Sequence, residues 1–186
     1  DTEIYKTGLS SLKDENYKEF NNDLVDYLNK EGAEIIISDI NKSAIENVVK
    51  KYNCSVINPN DIYTAEMDVY APCALGATVN NETIDKLKCS IIAGAANNQL
   101  LDEKQHGQQL FDKGIVYAPD YLINAGGVMN CYAEIHGISD KKVMEMAGNI
   151  YQTTLDILNK SQDENISTSL AANRIAEKRI KEESLN

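Results

Sequence analysis

Four short apolar runs, alternating with stretches of helical periodicity, constrain the fold of this chain more than any other feature. Glu34-Ile35-Ile36-Ile37-Ser38 follows Gly32 and ends at Asp39. Met67-Asp68-Val69-Tyr70-Ala71 is stopped by Pro72, Ser90-Ile91-Ile92-Ala93 by Gly94, and Ile115-Val116-Tyr117 by Pro119. Continuous runs of this kind read as strands buried on both faces. Asn41 caps a helix whose Ala44, Ile45, Val48 and Val49 share one face, continued by Tyr52. Thr83–Lys88 is expected as a short helix and Leu100–Lys113 as a longer one, stopped by Gly114. Strands that alternate with helices form a parallel sheet with crossover helices. Ligands of such sheets bind outside the carboxyl ends of the strands. Asp39, the loop at Cys73, the Gly94–Asn98 loop and the Asp120–Asn124 loop each follow a strand directly, so all four are expected on one edge.

After Gly127 the pattern becomes helical. Val128–His136 is one segment, ended by Gly137. Ser139 caps a longer one with Val143, Met146, Ala147, Ile150, Ile157 and Leu158 on one face. Ser161–Ser167 reads as a polar break, and Ser169–Glu183 closes the chain with a weaker stripe of Leu170, Ile175, Ala176 and Ile180. There is no repeat and no low-complexity tract.

A length of 186 residues supports one ordinary core, and 42% hydrophobic with 25% charged residues is the composition of a soluble domain. The net charge of −11 argues against nucleic acid or an anionic membrane surface as partner, because phosphates need cationic contacts. Cys54, Cys73, Cys89 and Cys131 have no C-x-x-C spacing and there are only two histidines, so no metal site is expected. Free thiols in a reducing cytoplasm are the simplest reading. The opening Asp1-Thr2-Glu3 lacks the basic and apolar regions of a signal peptide, and no apolar run is long enough to span a bilayer.

Three motifs carry a family resemblance. They are Ala71-Pro72-Cys73-Ala74-Leu75-Gly76-Ala77-Thr78, then Ala93-Gly94-Ala95-Ala96-Asn97-Asn98-Gln99-Leu100, then Tyr117-Ala118-Pro119-Asp120-Tyr121-Leu122-Ile123-Asn124-Ala125-Gly126-Gly127-Val128. In order and spacing they resemble the C-terminal NAD-binding domain of leucine dehydrogenase, in the Glu/Leu/Phe/Val dehydrogenase family, over roughly Leu24 to Ile180. The resemblance implies an α/β fold: a Rossmann-like parallel sheet lacking or altering the first strand, followed by C-terminal helices. The expected division is an N-terminal segment 1–23, a dinucleotide-binding core 24–137 and C-terminal helices 138–186. The first strand and its turn are in doubt because no glycine occurs between Gly8 and Gly32, where this family carries its phosphate-binding turn. The polar stretch Asp14–Asp23 shows no strand alternation. The segment between Lys13 and Leu24 reads as a degenerate turn, an engineered replacement or an incomplete one.

Each site residue implied by the resemblance has a plainer role beside it. Asp39 would accept hydrogen bonds from the adenine ribose hydroxyls, favouring NAD over NADP; as a turn aspartate it would help Asn41 start a helix. Cys73 and Ala74, with Leu75 and Gly76, would pass beneath the cofactor, while Cys73 by itself reads as a buried small apolar side chain rather than a nucleophile. Asn97 matches the position whose amide binds the substrate carboxylate, and Ala96 and Asn98 match neighbours on the cofactor. An amide suits this role because it offers donors and an acceptor without titrating; its plainer role is to cap the helix expected at Leu100. Asn124 would lie beside nicotinamide and substrate, ahead of a Gly126-Gly127 turn. Val128 and Tyr132 would face the substrate side chain or the core, with core the preferred reading. His106 and His136 lack spaced partners and read as surface histidines.

The implied chemistry is oxidation of an aliphatic L-amino acid to an imine by hydride transfer to NAD, followed by hydrolysis to a 2-keto acid and ammonia. The family's two catalytic lysines belong to a separate substrate domain. Lys6 and Lys13 lie in no matching motif, so no catalytic residue is assigned. This chain alone is expected to be inactive and to bind NAD weakly or not at all. Large homo-oligomers are a property the resemblance implies. The alternative is a non-catalytic module that keeps the fold and uses its surfaces for assembly.

Overall fold

The computed structural model describes residues 6–10 and 24–183. The apolar runs pair in parallel into one sheet of six strands: β1 (Lys6–Ser10), β2 (Glu34–Ser38), β3 (Cys54–Val56), β4 (Val69–Pro72), β5 (Ile91–Ile92) and β6 (Val116–Tyr117), in the order β3-β2-β1-β4-β5-β6. The position expected to be lacking or altered is filled. Lys6–Ser10 runs through the centre, with Gly8 opposite Ile36 on one side and Tyr70 on the other. No strand is expected at Lys6–Ser10 from the sequence, because Lys-Thr-Gly-Leu-Ser has no apolar pattern of its own. Its two neighbours supply the pairing that its side chains do not announce. The stretch between Lys13 and Leu24, whose nature was left open, lies outside the described residues up to residue 23. β3 was also unanticipated: Cys54-Ser55-Val56 is half polar and pairs only with β2.

The helices are residues 24–30 (α1), Lys42–Lys51 (α2), Glu103–Asp112 (α3), Asp120–Ile123 (α4), Gly126–His136 (α5), Asp140–Glu164 (α6) and Thr168–Glu183 (α7). Successive strand residues point to opposite faces of the sheet. Ile35, Ile37 and Ala71 pack with Val25 of α1, Tyr52 and Cys73, and Ile45 and Val48 of α2 join them. Tyr70, Ile92 and Tyr117 pack on the other face with Val79, Leu100 and Leu110 of α3. The helices up to β3 therefore cover one face, while the connection from β3 to β4, through Ile62 and Met67, and α3 cover the other. The switch lies between the neighbours β1 and β4, where an open α/β sheet leaves its ligand crevice.

Several helix boundaries depart from expectation for local reasons. Thr83–Lys88 is not a helix: residues 81–86 form turns and 87–88 are irregular. The Thr83 hydroxyl donates to Thr78 O at 2.6 Å and accepts from Asn80 N at 3.1 Å, which offers the backbone a competing arrangement. α3 starts at Glu103 rather than Leu100, because Leu100 is bridged to Val79 and Leu101 N donates to Val79 O at 3.0 Å. Its cap is Asp102, whose side chain accepts from Gln105 N at 2.7 Å. α6 runs into the expected polar break as far as Glu164 and stops at Asn165, in the left-handed region with φ 52°, so the break narrows to residues 165–167. Ile157 of α6 and Ala171 and Ala172 of α7 form a small core of their own.

His106 is a clear correction. Only 1% of it is exposed, because it shares the buried face of α3 with Gly107 and Leu110. Its Nδ1 lies 3.0 Å from both the N and the O of Asp102, and its Nε2 lies 3.1 Å from Asn81 Oδ1. His136 is exposed and stacks on Tyr132 with ring centroids 4.1 Å apart. All four cysteines are free. Among the described residues no helix is long and apolar enough to cross a membrane, and no group of three or more His, Cys, Asp or Glu side chains could hold a metal.

Candidate functional site

The carboxyl ends of β2, β4, β5 and β6 carry the residues singled out in the sequence. The loops after β4 and β5 are in direct backbone contact. Ala96 N donates to Pro72 O at 2.9 Å, and Ala77 N donates to Asn98 O at 2.7 Å. Gly94 makes this approach necessary: a Cβ there would lie 2.2 Å from Pro72 O. Gly76 repeats the constraint, since its Cβ would lie 2.7 Å from Asn97 O. Ala77 (φ 58°) and Asn98 (φ 52°) both adopt the left-handed region that L-residues avoid. Two loops thus hold unfavourable backbone against one another, a condition found where surrounding structure over-determines a site.

Cys73 is buried at this junction, and burial pushes its thiol up to about 11, partly opposed by a backbone hydrogen bond with Ala95. A thiol so protonated is a packing group, not a nucleophile. Ala74 is half-buried beside it and Ala96 is buried. Asn97 and Asn98 are exposed on the rim. They cap no helix, since α3 starts later under Asp102. Asn124, the residue that ends α4, donates from Nδ2 to Asn97 Oδ1 at 2.5 Å and reaches toward Ala95 O at 3.5 Å. The structure therefore brings Asn97 and Asn124 together from the ends of different strands. Their shared bond leaves the Asn97 amide N–H groups and the Asn124 carbonyl oxygen without a hydrogen bond among the described residues.

Asp39 stands apart from that pair. It follows β2, two strands from β4, and is half-buried. Its Oδ1 accepts from Asn41 N at 2.7 Å, and Asn41 Oδ1 in turn accepts from Ala44 N at 3.2 Å. The turn role is thus filled by one carboxylate oxygen. Among the described residues the second oxygen carries no hydrogen bond, so it can accept from a ligand hydroxyl. Val128 and Tyr132 do not join the core. They are 67% and 49% exposed, because α5 buries only Ala133.

Sequence reasoning gave no role to Gln99 and Asp120, although both stand in the quoted motifs. Gln99 is fully buried and Asp120 is 6% exposed. Asp120 Oδ2 accepts from Gln99 N at 2.8 Å and its Oδ1 from Tyr121 N at 2.7 Å. The Tyr117 hydroxyl accepts from Asp120 N at 3.2 Å, and burial pushes that hydroxyl far above the ordinary tyrosine range. An amide and a carboxyl placed directly beside strand ends, among small residues, were the available signal.

The family model for Glutamate/Leucine/Phenylalanine/Valine dehydrogenase matches residues 20–186. Leucine dehydrogenase of Bacillus cereus is 48% identical over 157 residues, covering 84% of this chain and 43% of that protein. The crystal structure of L-tryptophan dehydrogenase from Nostoc punctiforme superposes with a TM-score of 0.89 at 39% identity, covering 96% of this chain and 52% of that one. A hetero-hexameric glutamate dehydrogenase from Thermus thermophilus, in its Leu-bound form, shares the fold with a TM-score of 0.70 at 14% identity. The chain spans less than half the length of the curated relatives it matches. With the doubly wound sheet, the apposed loops and the three motifs all in place, the chain belongs to the glutamate/leucine/phenylalanine/valine dehydrogenase family.

Proposed function

We propose that this chain is the coenzyme-binding part of an NAD-dependent amino acid dehydrogenase that oxidises an aliphatic L-amino acid to its 2-keto acid. The observation that carries the reading is the Asn124–Asn97 pair, set at the rim by two loops whose backbones touch through Gly94 and Gly76. The residues fit the coenzyme at three points. The unbonded oxygen of Asp39 would accept from the adenine ribose, and a 2′-phosphate would be repelled there. The close-packed Cys73–Gly76 loop would let the dinucleotide lie against backbone. Ala96, Asn97, Asn98 and Asn124 would flank the nicotinamide end, with the Asn97 amide donating to the substrate carboxylate. When bound, NAD supplies the hydride acceptor.

The pyrophosphate end is the weak part of the fit. Residues 11–23 contain no glycine, the residue type that most readily lets backbone close on a phosphate. Hydrogen bonds to charged groups contribute about 1.5–3 kcal/mol each. We therefore propose weak coenzyme binding and no amino acid oxidation by this chain alone, since the substrate-domain lysines are not in it. The natural setting is a cytoplasmic homo-oligomer, with segments 1–23, 24–137 and 138–186 as N-terminal segment, coenzyme core and C-terminal helices.

Titration of the chain with NADH, followed by nicotinamide fluorescence, tests the reading. Expected are a weak saturable signal, loss of that signal in Asp39→Ala, and weaker competition by NADPH than by NADH. No saturation in the unaltered chain overturns coenzyme binding. Turnover of leucine and NAD above blank overturns the claim that the chain is inactive alone.

A further inference from the structure

The Asn97–Asn124 pair is fixed at its rim by one hydrogen bond, and beneath it lies a second tie that is wholly buried. Gln99 N donates to Asp120 Oδ2 at 2.8 Å. The Gln99 side chain turns back into its own loop, where Nε2 donates to Gly94 O at 2.6 Å and to Ala96 O at 3.0 Å. The backbone carbonyl of Gln99 accepts from Val79 N at 3.0 Å, which fastens the same loop to the one after β4, while its side-chain oxygen has no hydrogen-bond partner among the described residues. On the other side, Asp120 opens the single turn of α4. Its carbonyl accepts from Asn124 N at 3.0 Å, so the residue that anchors Gln99 also sets where Asn124 stands. The contacts close a ring: Asn97 to Gln99 along the chain, across to Asp120, along α4 to Asn124, and across again to Asn97.

We propose that Gln99 and Asp120 are positioning residues for the nicotinamide side of the site, a brace that orients the Asn97 and Asn124 amides before any ligand arrives. The proposal rests on the coenzyme reading above for its ligand, but the brace itself is a property of the free chain. The chemistry supports a specific orienting role over filling of space. A leucine would fill either position, whereas an amide whose N–H groups meet two carbonyls has one orientation only. Among the described residues Asp120 forms no ion pair; two backbone N–H groups donate to its side chain, and the Tyr117 hydroxyl lies against it. A buried polar network of this kind fixes geometry when its bonds are made and is costly when one is broken. Preset amides also spare a ligand the ordering cost of two rim side chains.

Asp120→Asn is the direct test. It keeps size and shape but places an NH2 group against one of the two backbone N–H donors. Two readouts are taken on the chain itself. The first is the exchange of the Asn97 and Asn124 side-chain amide protons, read in 15N-labelled protein. The second is the affinity for NADH beside that for ADP-ribose, which lacks the nicotinamide. Expected are faster exchange of the Asn124 amide protons and a loss of about tenfold in NADH affinity, the size of one buried hydrogen bond. ADP-ribose binding and the far-UV spectrum should stay unchanged. A merely structural role would weaken both ligands together. Gln99→Met, which removes both side-chain bonds at similar volume, should reproduce the split and stands in if Asp120→Asn does not fold. Unmoved amide signals, or equal losses for NADH and ADP-ribose, overturn the proposal. If the unaltered chain binds neither ligand, the coenzyme reading fails, and the amide signals alone decide whether the brace exists.

Discussion

At the scale of single residues, the site is governed by where a side chain cannot be and where a backbone would rather not be. Gly94 is the first case. Its Cβ would meet Pro72 O at 2.2 Å, so Gly94→Ala must part β4 from β5. Overpacking of this kind costs about 1–3 kcal/mol or more, read as a lower urea midpoint. Ala77 is the reverse case, an L-residue at φ 58° where glycine carries no penalty. Ala77→Gly is expected to raise stability by about 0.5–1 kcal/mol, and a loss of stability would show that the methyl group makes a contact that outweighs the strain. The cysteines separate by burial. Cys131 is exposed, Cys54 intermediate, and Cys73 and Cys89 buried with thiols pushed up by loss of solvent. A disulfide reagent at mildly alkaline pH should therefore label one thiol fast and leave Cys73 and Cys89 among the last. Cys131→Ser should abolish the fast phase. The rim asparagines were singled out in the sequence through the motifs that contain them, since asparagine after a strand serves equally as a helix cap. Their pairing was not, since Asn97 and Asn124 meet only when β5 and β6 lie side by side.

At the scale of elements, boundaries were set by side-chain bonds that periodicity does not report. α2 begins where expected because Asn41 is a local cap, and α5 ends where expected because Gly137 takes φ 63°. α3 begins late because Val79 claims the residues before it. α6 extends into a polar stretch because its later turns pack on α7 through Ile157, with Ser161 buried beside it and its Oγ donating to Ile166 O at 2.5 Å after the turn. The junction of α6 and α7 carries a charge tie. Glu164 accepts from Lys160 of its own helix and from Arg174 of α7, and these bonds, the first larger, hold its carboxyl below the ordinary range. A carboxyl whose value is lowered by folding adds stability above its unfolded value, and that contribution is lost as pH falls through the lower folded value. The melting temperature should therefore decline as pH drops below about 4.3. Arg174→Ala should flatten part of that decline, by a small amount because the pair is solvent-screened. An unchanged slope would assign the acid sensitivity to other carboxyls.

At the scale of the molecule, packing is uneven. The sheet is covered on both faces, whereas α5 buries Ala133 alone and leaves Val128, Tyr132 and Ile135 in solvent. Regions with few buried apolar contacts open at lower free energy. Hydrogen exchange should find the amides of α5 far less protected than those of β2 and β4, and equal protection would mean that α5 is held by more than its contacts here.

The sequence by itself determined the class of fold, the common edge for the loops and the family. Each of these follows from local signals: apolar runs that must be buried, residues that stop them, and motifs short enough to read along the chain. Only the tertiary structure decided that Lys6–Ser10 is the central strand, that His106 is buried, and that Gln99 and Asp120 join beneath the two asparagines. The reason is physical. A strand weak in apolar pattern is specified by the neighbours that pair with it. A buried polar group is stable only when a partner distant in sequence meets it, and neither fact is written in the residue itself.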